Sequence, residues 1–285
     1  MTIKKINVVI AGFGTVGKAT LPYLLNNLKS AVEIKRIQIW DPLLSPEDRN
    51  YAQEQANAIH HPNTVVDVHS KLFDPITTNL KTLDLLFICT PTRVAMDLLQ
   101  SFHYCDGGKC LVIARSTLSP EIIESEKGLR DAGVRFAYIP EFEKEHELES
   151  GESYTPIIYI AKRDEKLFCR LLSSPYDQKP LNKVVYSKLL SNAKLAFDYT
   201  FANLAATIMR ENEIDALKFY CGEDSEWLYR DKPTHYGGPC LDNALGLLTT
   251  AGYPSFDKIT EANKLAIDRI RGTLEDIAYD LAGPG

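Results

Sequence analysis

Apolar positions in the first part of the chain come in short blocks separated by polar stretches. Residues 6–11 (INVVIA), 34–40 (IKRIQIW), 83–89 (LDLLFIC), 110–114 (CLVIA), 135–139 (RFAYI) and 157–161 (IIYIA) are brief runs, many rich in β-branched side chains. Runs of this length and composition predict buried strands rather than helices. Leu21, Leu24, Leu25 and Leu28 follow the first block at helical spacing, and similar or loop-like sequence separates the later ones. Strands alternating with helices predict a doubly wound parallel sheet with helices on both faces. The two-proline stretch 174–181 (SPYDQKPL) then predicts a linker. Beyond it the pattern changes. Residues 187–212 place Leu189, Leu190, Ala193, Leu195, Phe197, Phe201, Leu204, Ile208 and Met209 on nearly every helical face. That predicts one buried helix, on the order of 40 Å long. The rest of the chain reads as mostly helical, with a break at Gly237-Gly238.

The first strand runs straight into Gly12-Phe13-Gly14-Thr15-Val16-Gly17, a GxGxxG that opens a helix, and the second ends in Asp41. The three glycines serve a tight turn, close approach of backbone to a pyrophosphate, and close helix–strand packing. Free N–H groups at the helix start suit phosphate. A carboxylate at Asp41 suits the ribose hydroxyls and repels a 2′-phosphate, so the expected cofactor is NAD. The fold class is α/β: an N-terminal Rossmann-type doubly wound parallel sheet (residues 1–180), then a mostly α-helical domain on a long central helix (181–285). Ligands of such sheets lie beyond the carboxyl ends of the strands. Those ends carry Thr90-Pro91-Thr92, Ser116-Thr117 and Pro140-Glu141-Phe142, and the first two groups join Gly12 to Gly17 and Asp41 as expected cofactor contacts.

Composition narrows the partners. The 285 residues are 45% hydrophobic and 25% charged, with a formal net charge of -6, which disfavours nucleic acid or an anionic membrane surface. A small-molecule substrate is expected instead. Six cysteines at scattered positions, without a CxxC pair or an apolar leader, fit free thiols in the cytoplasm. His60, His61, His103 and His146 lack metal-ligand spacing, so no metal is expected. Cys240, directly after Gly237-Gly238-Pro239, reads from its neighbours alone either as a nucleophile or as a small apolar residue after a turn.

Six short motifs, in order, resemble the UDP-glucose / GDP-mannose dehydrogenase family of nucleotide-sugar 6-dehydrogenases. GFGTVG (12–17) resembles the family's NAD turn and FICTPT (87–92) its strand-end Val-Pro-Thr-Pro. RSTL (115–118) is similar to Lys-Ser-Thr-Val, and PEFEKE (140–145) to Pro-Glu-Phe-Leu-Arg-Glu. KLLSN (188–192) is similar to Lys-x-x-x-Asn, and HYGGPC (235–240) to Gly-(Phe/Tyr)-Gly-Gly-x-Cys. The resemblance runs to about Asn263.

It implies oxidation of a primary alcohol of a sugar, such as that of UDP-glucose, to a carboxylate by two NAD, without metal. Cys240 would be the nucleophile that captures the aldehyde and carries the thioester. Glu141 and Glu145 would serve hydrolysis, with Thr117 orienting water. Lys188 and Asn192, one helical turn apart, would meet the developing alkoxide or oxyanion. A homodimer through the long helix 187–212 is expected. The sequence departs from the family after the cysteine, where Asn243 and Ala244 stand in place of Lys and Asp. It also carries Arg115 and Lys144 where the family has Lys and Arg, lacks the Arg expected shortly after Pro156, and ends at Gly285 where the family continues into a third domain. Two rival readings are a two-electron hydroxyacid-type dehydrogenase using Lys188 and Asn192 without covalent catalysis, and an NAD-binding scaffold with degenerate catalysis.

Overall fold

The computed structural model describes residues 4–58, 64–104, 109–141, 157–173, 176–211 and 239–265, excepting the side chains of 56–58, 103, 202–211 and 239. The chain divides into two compact units, Met1–Tyr186 and Ser187–Gly285.

In the first unit, strands β1 (Lys4–Ala11), β2 (Val32–Trp40), β3 (Val65–His69), β4 (Leu85–Ile88), β5 (Leu111–Ala114), β6 (Arg135–Tyr138), β7 (Ile157–Ile160) and β8 (Asp177–Gln178) form one sheet. Its order is β3-β2-β1-β4-β5-β6-β7-β8. Helices α1 (Thr15–Asn27), α2 (Pro46–Ala58), α3 (Thr92–Ser101), α4 (Ile122–Asp131) and α5 (Glu165–Leu171) lie between strands in sequence. Every residue of β4 and β5 is buried, which is the signature of strands covered on both faces. In α1, Thr20, Leu21, Leu24 and Leu25 are buried, a three-to-four spacing that turns one stripe of the helix inward.

Pairing is parallel from β3 across to β6, but β7 runs antiparallel to β6, with Ala137 opposite Ile160 and Tyr138 opposite Tyr159. The expected parallel sheet is therefore corrected at this edge. An apolar run marks a strand without encoding its direction. β3 was missed because Asp67 and His69 break its apolar run; its Asp67 sits 3.0 Å from Arg36 of the neighbouring strand. The expected linker contains β8, paired parallel with β7.

Helix α6 (Leu181–Glu211) starts earlier than the expected 187. Leu181, Val184 and Val185 are buried, and within the second unit Leu189, Asn192, Ala193, Ala196 and Thr200 continue the stripe. The expectation of burial all round is corrected on the other side: Leu190 is 49%, Phe197 50% and Phe201 38% exposed. Apolar identity alone does not say which face finds a partner. In the same unit, α7 (Pro239–Thr250) buries Leu241, Ala244, Leu245 and Leu248. It closes on Gly252, whose φ of 98° suits glycine. There Gly252 N–H donates to Thr249 O at 3.0 Å and Tyr253 N–H to Leu248 O at 3.1 Å. Residues 257–265 are helical. Among the described residues no helix is long and apolar enough to cross a membrane.

Candidate functional site

The carboxyl ends of β1, β2, β4, β5 and β6 gather the expected cofactor residues within the first unit. Gly12 has a φ of 91°, and a Cβ there would meet Cys89 O at 2.6 Å. At Gly17 a Cβ would overlap the carbonyl oxygen of Gly12. These two glycines are thus demanded by the protein's own packing. Gly14 is different, because a Cβ there would meet no atom within 4 Å. It caps α1 without any side-chain hydrogen bond to the helix start, where the N–H groups of a first turn suit an anion. That combination fits a pyrophosphate.

Asp41 holds the turn in place. Its Oδ2 accepts from Phe13 N–H at 2.7 Å and its Oδ1 from Leu43 N–H at 2.8 Å. The strand end before it is fixed by Trp40, stacked on His69 with ring centroids 4.1 Å apart. Burial lowers the pKa of His69, with the Asp67 carboxylate opposing.

Along the same edge, the buried Ser116 hydroxyl lies 2.6 Å from Thr90 O and 3.2 Å from Ile88 O. Thr92 Oγ1 donates to Thr117 O at 2.7 Å. Ser116 and Thr92 therefore tie two strand ends together. Thr90 Oγ1 is buried and makes no hydrogen bond among the described residues, an unmet polar group at the strand end where a cofactor is expected. Pro91 is the N-cap of α3. Glu141 forms an ion pair with Arg115, whose guanidinium also lies 4.5 Å from the centroid of the Tyr23 ring. Sequence reasoning missed this grouping. The signal was available: residues 115 and 141 follow adjacent strands β5 and β6. Glu145 and Lys144 lie outside the described residues, as do His235 to Gly238 of the last motif.

The second unit assembles a separate group. Lys188 Nζ donates to Asn192 Oδ1 at 3.0 Å, and Asn192 Nδ2 donates to Cys240 O at 3.4 Å. Asn192 is buried while Cys240 is exposed in the first turn of α7. Burial lowers the Lys188 pKa from 10.5 to about 8, and the neighbouring Cys240 partly opposes this. A lysine so placed loses and regains its proton near neutral pH. Ala244, at one of the positions that departs from the family pattern, is fully buried on the inner face of α7. Among the described residues no three His, Cys, Asp or Glu side chains are placed to hold a metal ion.

No protein-family profile and no curated protein matches the sequence. Solved structures do. A UDP-D-ManNAc dehydrogenase from Pyrococcus horikoshii superposes with a TM-score of 0.69 at 16% identity, covering 95% of this chain and 71% of that one. The UDP-N-acetyl-mannosamine dehydrogenase from Staphylococcus aureus gives 0.67 at 15% identity, covering 98% and 72%. A 3-hydroxyisobutyrate dehydrogenase from Mycobacterium tuberculosis gives 0.56 at 13% identity, covering 94% of both chains. The chain shares a Rossmann-type fold with these two UDP-sugar dehydrogenases over nearly all of its own length and about 70% of theirs.

Proposed function

We propose that the protein is an NAD-dependent dehydrogenase that oxidises a primary alcohol of a sugar, carried as a nucleotide sugar, to a carboxylate. The observation that carries this reading is the linked set Lys188, Asn192 and Cys240, with the Lys188 pKa lowered to about 8. Shared fold with the two UDP-sugar dehydrogenases supports it. Gly12, Phe13, Gly14, Thr15, Val16 and Gly17 would cradle the pyrophosphate, Asp41 the adenosine ribose, and Thr90, Pro91, Thr92, Ser116 and Thr117 the edge near the reacting end. When bound, the nicotinamide supplies the hydride acceptor. The Asp41 carboxylate disfavours a 2′-phosphate, so NAD is preferred to NADP.

Neutral Lys188 takes the alcohol proton as the carbon gives up its hydride, and its ammonium with the Asn192 amide stabilises the oxygen. The Cys240 thiol then adds across the aldehyde carbonyl, giving a thiohemiacetal. Once Lys188 has shed its first proton to solvent, loss of the thiohemiacetal hydroxyl proton to Lys188 and of a hydride from that carbon to a second NAD would leave a thioester on Cys240. Water attacks it, releasing the carboxylate and restoring the thiol, with Glu141, Glu145 and Thr117 proposed to place and deprotonate that water. A second copy of the chain pairing along the Leu190, Phe197 and Phe201 face of α6 is the proposed dimer. Cytoplasmic residence is proposed from the free thiols.

The test is stoichiometric: NADH formed per UDP-sugar consumed, in the native enzyme and in Cys240→Ser. Two NADH, falling to one or none in the variant, is the expected result. One NADH with the variant unaffected would sink the covalent reading. It would favour a two-electron hydroxyacid oxidation through Lys188 and Asn192, a reading supported by the 94% mutual coverage with the 3-hydroxyisobutyrate dehydrogenase. NAD binding without turnover on either substrate class would favour a scaffold.

A further inference from the structure

A second polar cleft lies within the first unit, at the opposite edge of the sheet from the glycine turn. Gly12 follows the carboxyl end of β1, whereas Arg135 is the first residue of β6, which lies parallel to β5 in the same sheet. Antiparallel β7 brings Arg163, just past its end, to that same edge. The cleft, about 480 Å³, is lined by Arg135, Arg163, Lys166 and Arg170, with Asp164 as the only acid, beside Gly133 and Leu167. Four cations thus face one carboxylate in a protein whose net charge is -6. Such a cluster repels itself unless an anion offsets it.

Two of the cations are held rigidly. Arg163 donates from Nη1 to Arg130 O at 3.0 Å and from Nη2 to Val134 O, while its Nε stands 3.6 Å from Asp164. The Arg135 Nε stands 4.0 Å from the other Asp164 oxygen, and its Nη1 donates to Lys109 O at 3.4 Å. Asp164 itself is buried and accepts from Phe136 N–H at 3.3 Å. The carboxylate therefore aligns two guanidinium groups rather than cancelling the cluster. Lys166 and Arg170 are one turn apart on α5, exposed, and make no hydrogen bond or ion pair among the described residues. Arg135 and the remaining N–H groups of Arg163, with the exposed Lys166 and Arg170 beside them, suit a ligand presenting several phosphate oxygens, and the volume suits a small molecule.

We propose that this cleft binds a small phosphorylated molecule bearing at least two phosphate groups, at a site distinct from the dinucleotide edge. The site does not depend on the proposed reaction. Titration calorimetry of the full chain with inorganic pyrophosphate and, separately, with ADP tests it, each with and without saturating NAD. One diphosphate per chain is expected, persisting under NAD. The double variant Lys166→Glu with Arg170→Glu should weaken it at least about tenfold, while Lys35→Glu, exposed on β2, leaves it unchanged. Arg170→Gln, which removes only one charge, gives a smaller loss should the double variant fold poorly. Tighter binding of ADP with the same variant dependence supports the site with a nucleotide as ligand, and equal binding supports it with the diphosphate alone. Absence of saturable binding, equal weakening by Lys35→Glu, or displacement by NAD with the double variant unaffected would each overturn the proposal.

Discussion

The glycine-turn edge of the first unit and the Lys188 group of the second are built from different materials. The first is made largely of backbone: a glycine turn, an uncapped helix start, and a carboxylate whose two oxygens bind main-chain N–H groups. The second rests on side chains from two helices, with the Asn192 amide accepting from Lys188 and donating to the main-chain carbonyl of Cys240. Backbone sites depend on what is missing, namely side chains that would fill the cradle. Side-chain sites depend on what is present, so one substitution removes a chemical function without disturbing the fold. The two should fail differently, and that contrast can be tested.

The largest effect is expected at Cys240. Changing it to Ser should lower turnover to the acid product at least about a thousandfold, about 4 kcal/mol of barrier. Because the side chain is exposed, the melting temperature should stay within about 1 °C of the native protein, as surface changes usually do. Scanning calorimetry beside a product assay decides it.

Next comes a glycine pair. Gly17→Ala forces a Cβ into the Gly12 carbonyl and should cost about 3 kcal/mol or more of stability as overpacking against backbone. Gly14→Ala meets nothing in the protein and should melt normally, yet lose NAD affinity about tenfold or more as the pyrophosphate loses its approach. Equal melting curves for the two, or unchanged NAD binding in Gly14→Ala by fluorescence titration, would remove the argument for an open cradle.

Lys188 gives a pH signature. Its pKa falls from 10.5 to about 8 on folding, so between those values the unfolded chain holds more protons and stability rises with pH. Below about 8 the cost of keeping a buried ammonium is fully present. As a general base Lys188 must be neutral, so kcat/KM should rise tenfold per pH unit up to about 8 and then level. Lys188→Met should flatten both dependences and slow turnover about a hundredfold. A stopped-flow pH profile that keeps its break in the variant would assign the base elsewhere.

The smallest expected change is at Asp41. Asp41→Asn leaves a single acceptor oxygen for the Phe13 and Leu43 N–H groups and removes the charge, so preference for NAD over NADP should narrow about tenfold. Paired Kd measurements for the two cofactors read it directly.

This contrast also explains what could be read in advance. The glycine turn, the strand blocks and Asp41 were legible because backbone geometry restricts residue type at fixed local spacing. Lys188 and Asn192 were legible for the same reason, being one helical turn apart. Their link to Cys240 was not, since it spans residues far apart in sequence and rests on packing between α6 and α7. The resemblance to a known family nominated Cys240, and the structure puts its main-chain oxygen 3.4 Å from the Asn192 amide. The Arg115, Glu141 and Tyr23 cluster escaped because it needs the β5–β6 adjacency together with the pitch of α1. The reversal of β7 and the exposure of Leu190 and Phe197 on α6 escaped for another reason. Apolar residues report that burial is wanted, and neither chain direction nor the identity of the covering surface follows from that.

The sheet ends at β8, two residues long and made of exposed Asp177 and Gln178, with Asp177 paired to Lys179 at 2.7 Å. An unpaired strand edge invites neighbouring molecules to add their own strands. A rim this short, wet and charged offers them almost no ladder to extend. The segment that reads as a mere linker therefore acts as a selvedge on this side of the sheet, leaving a neighbouring strand little backbone to pair with.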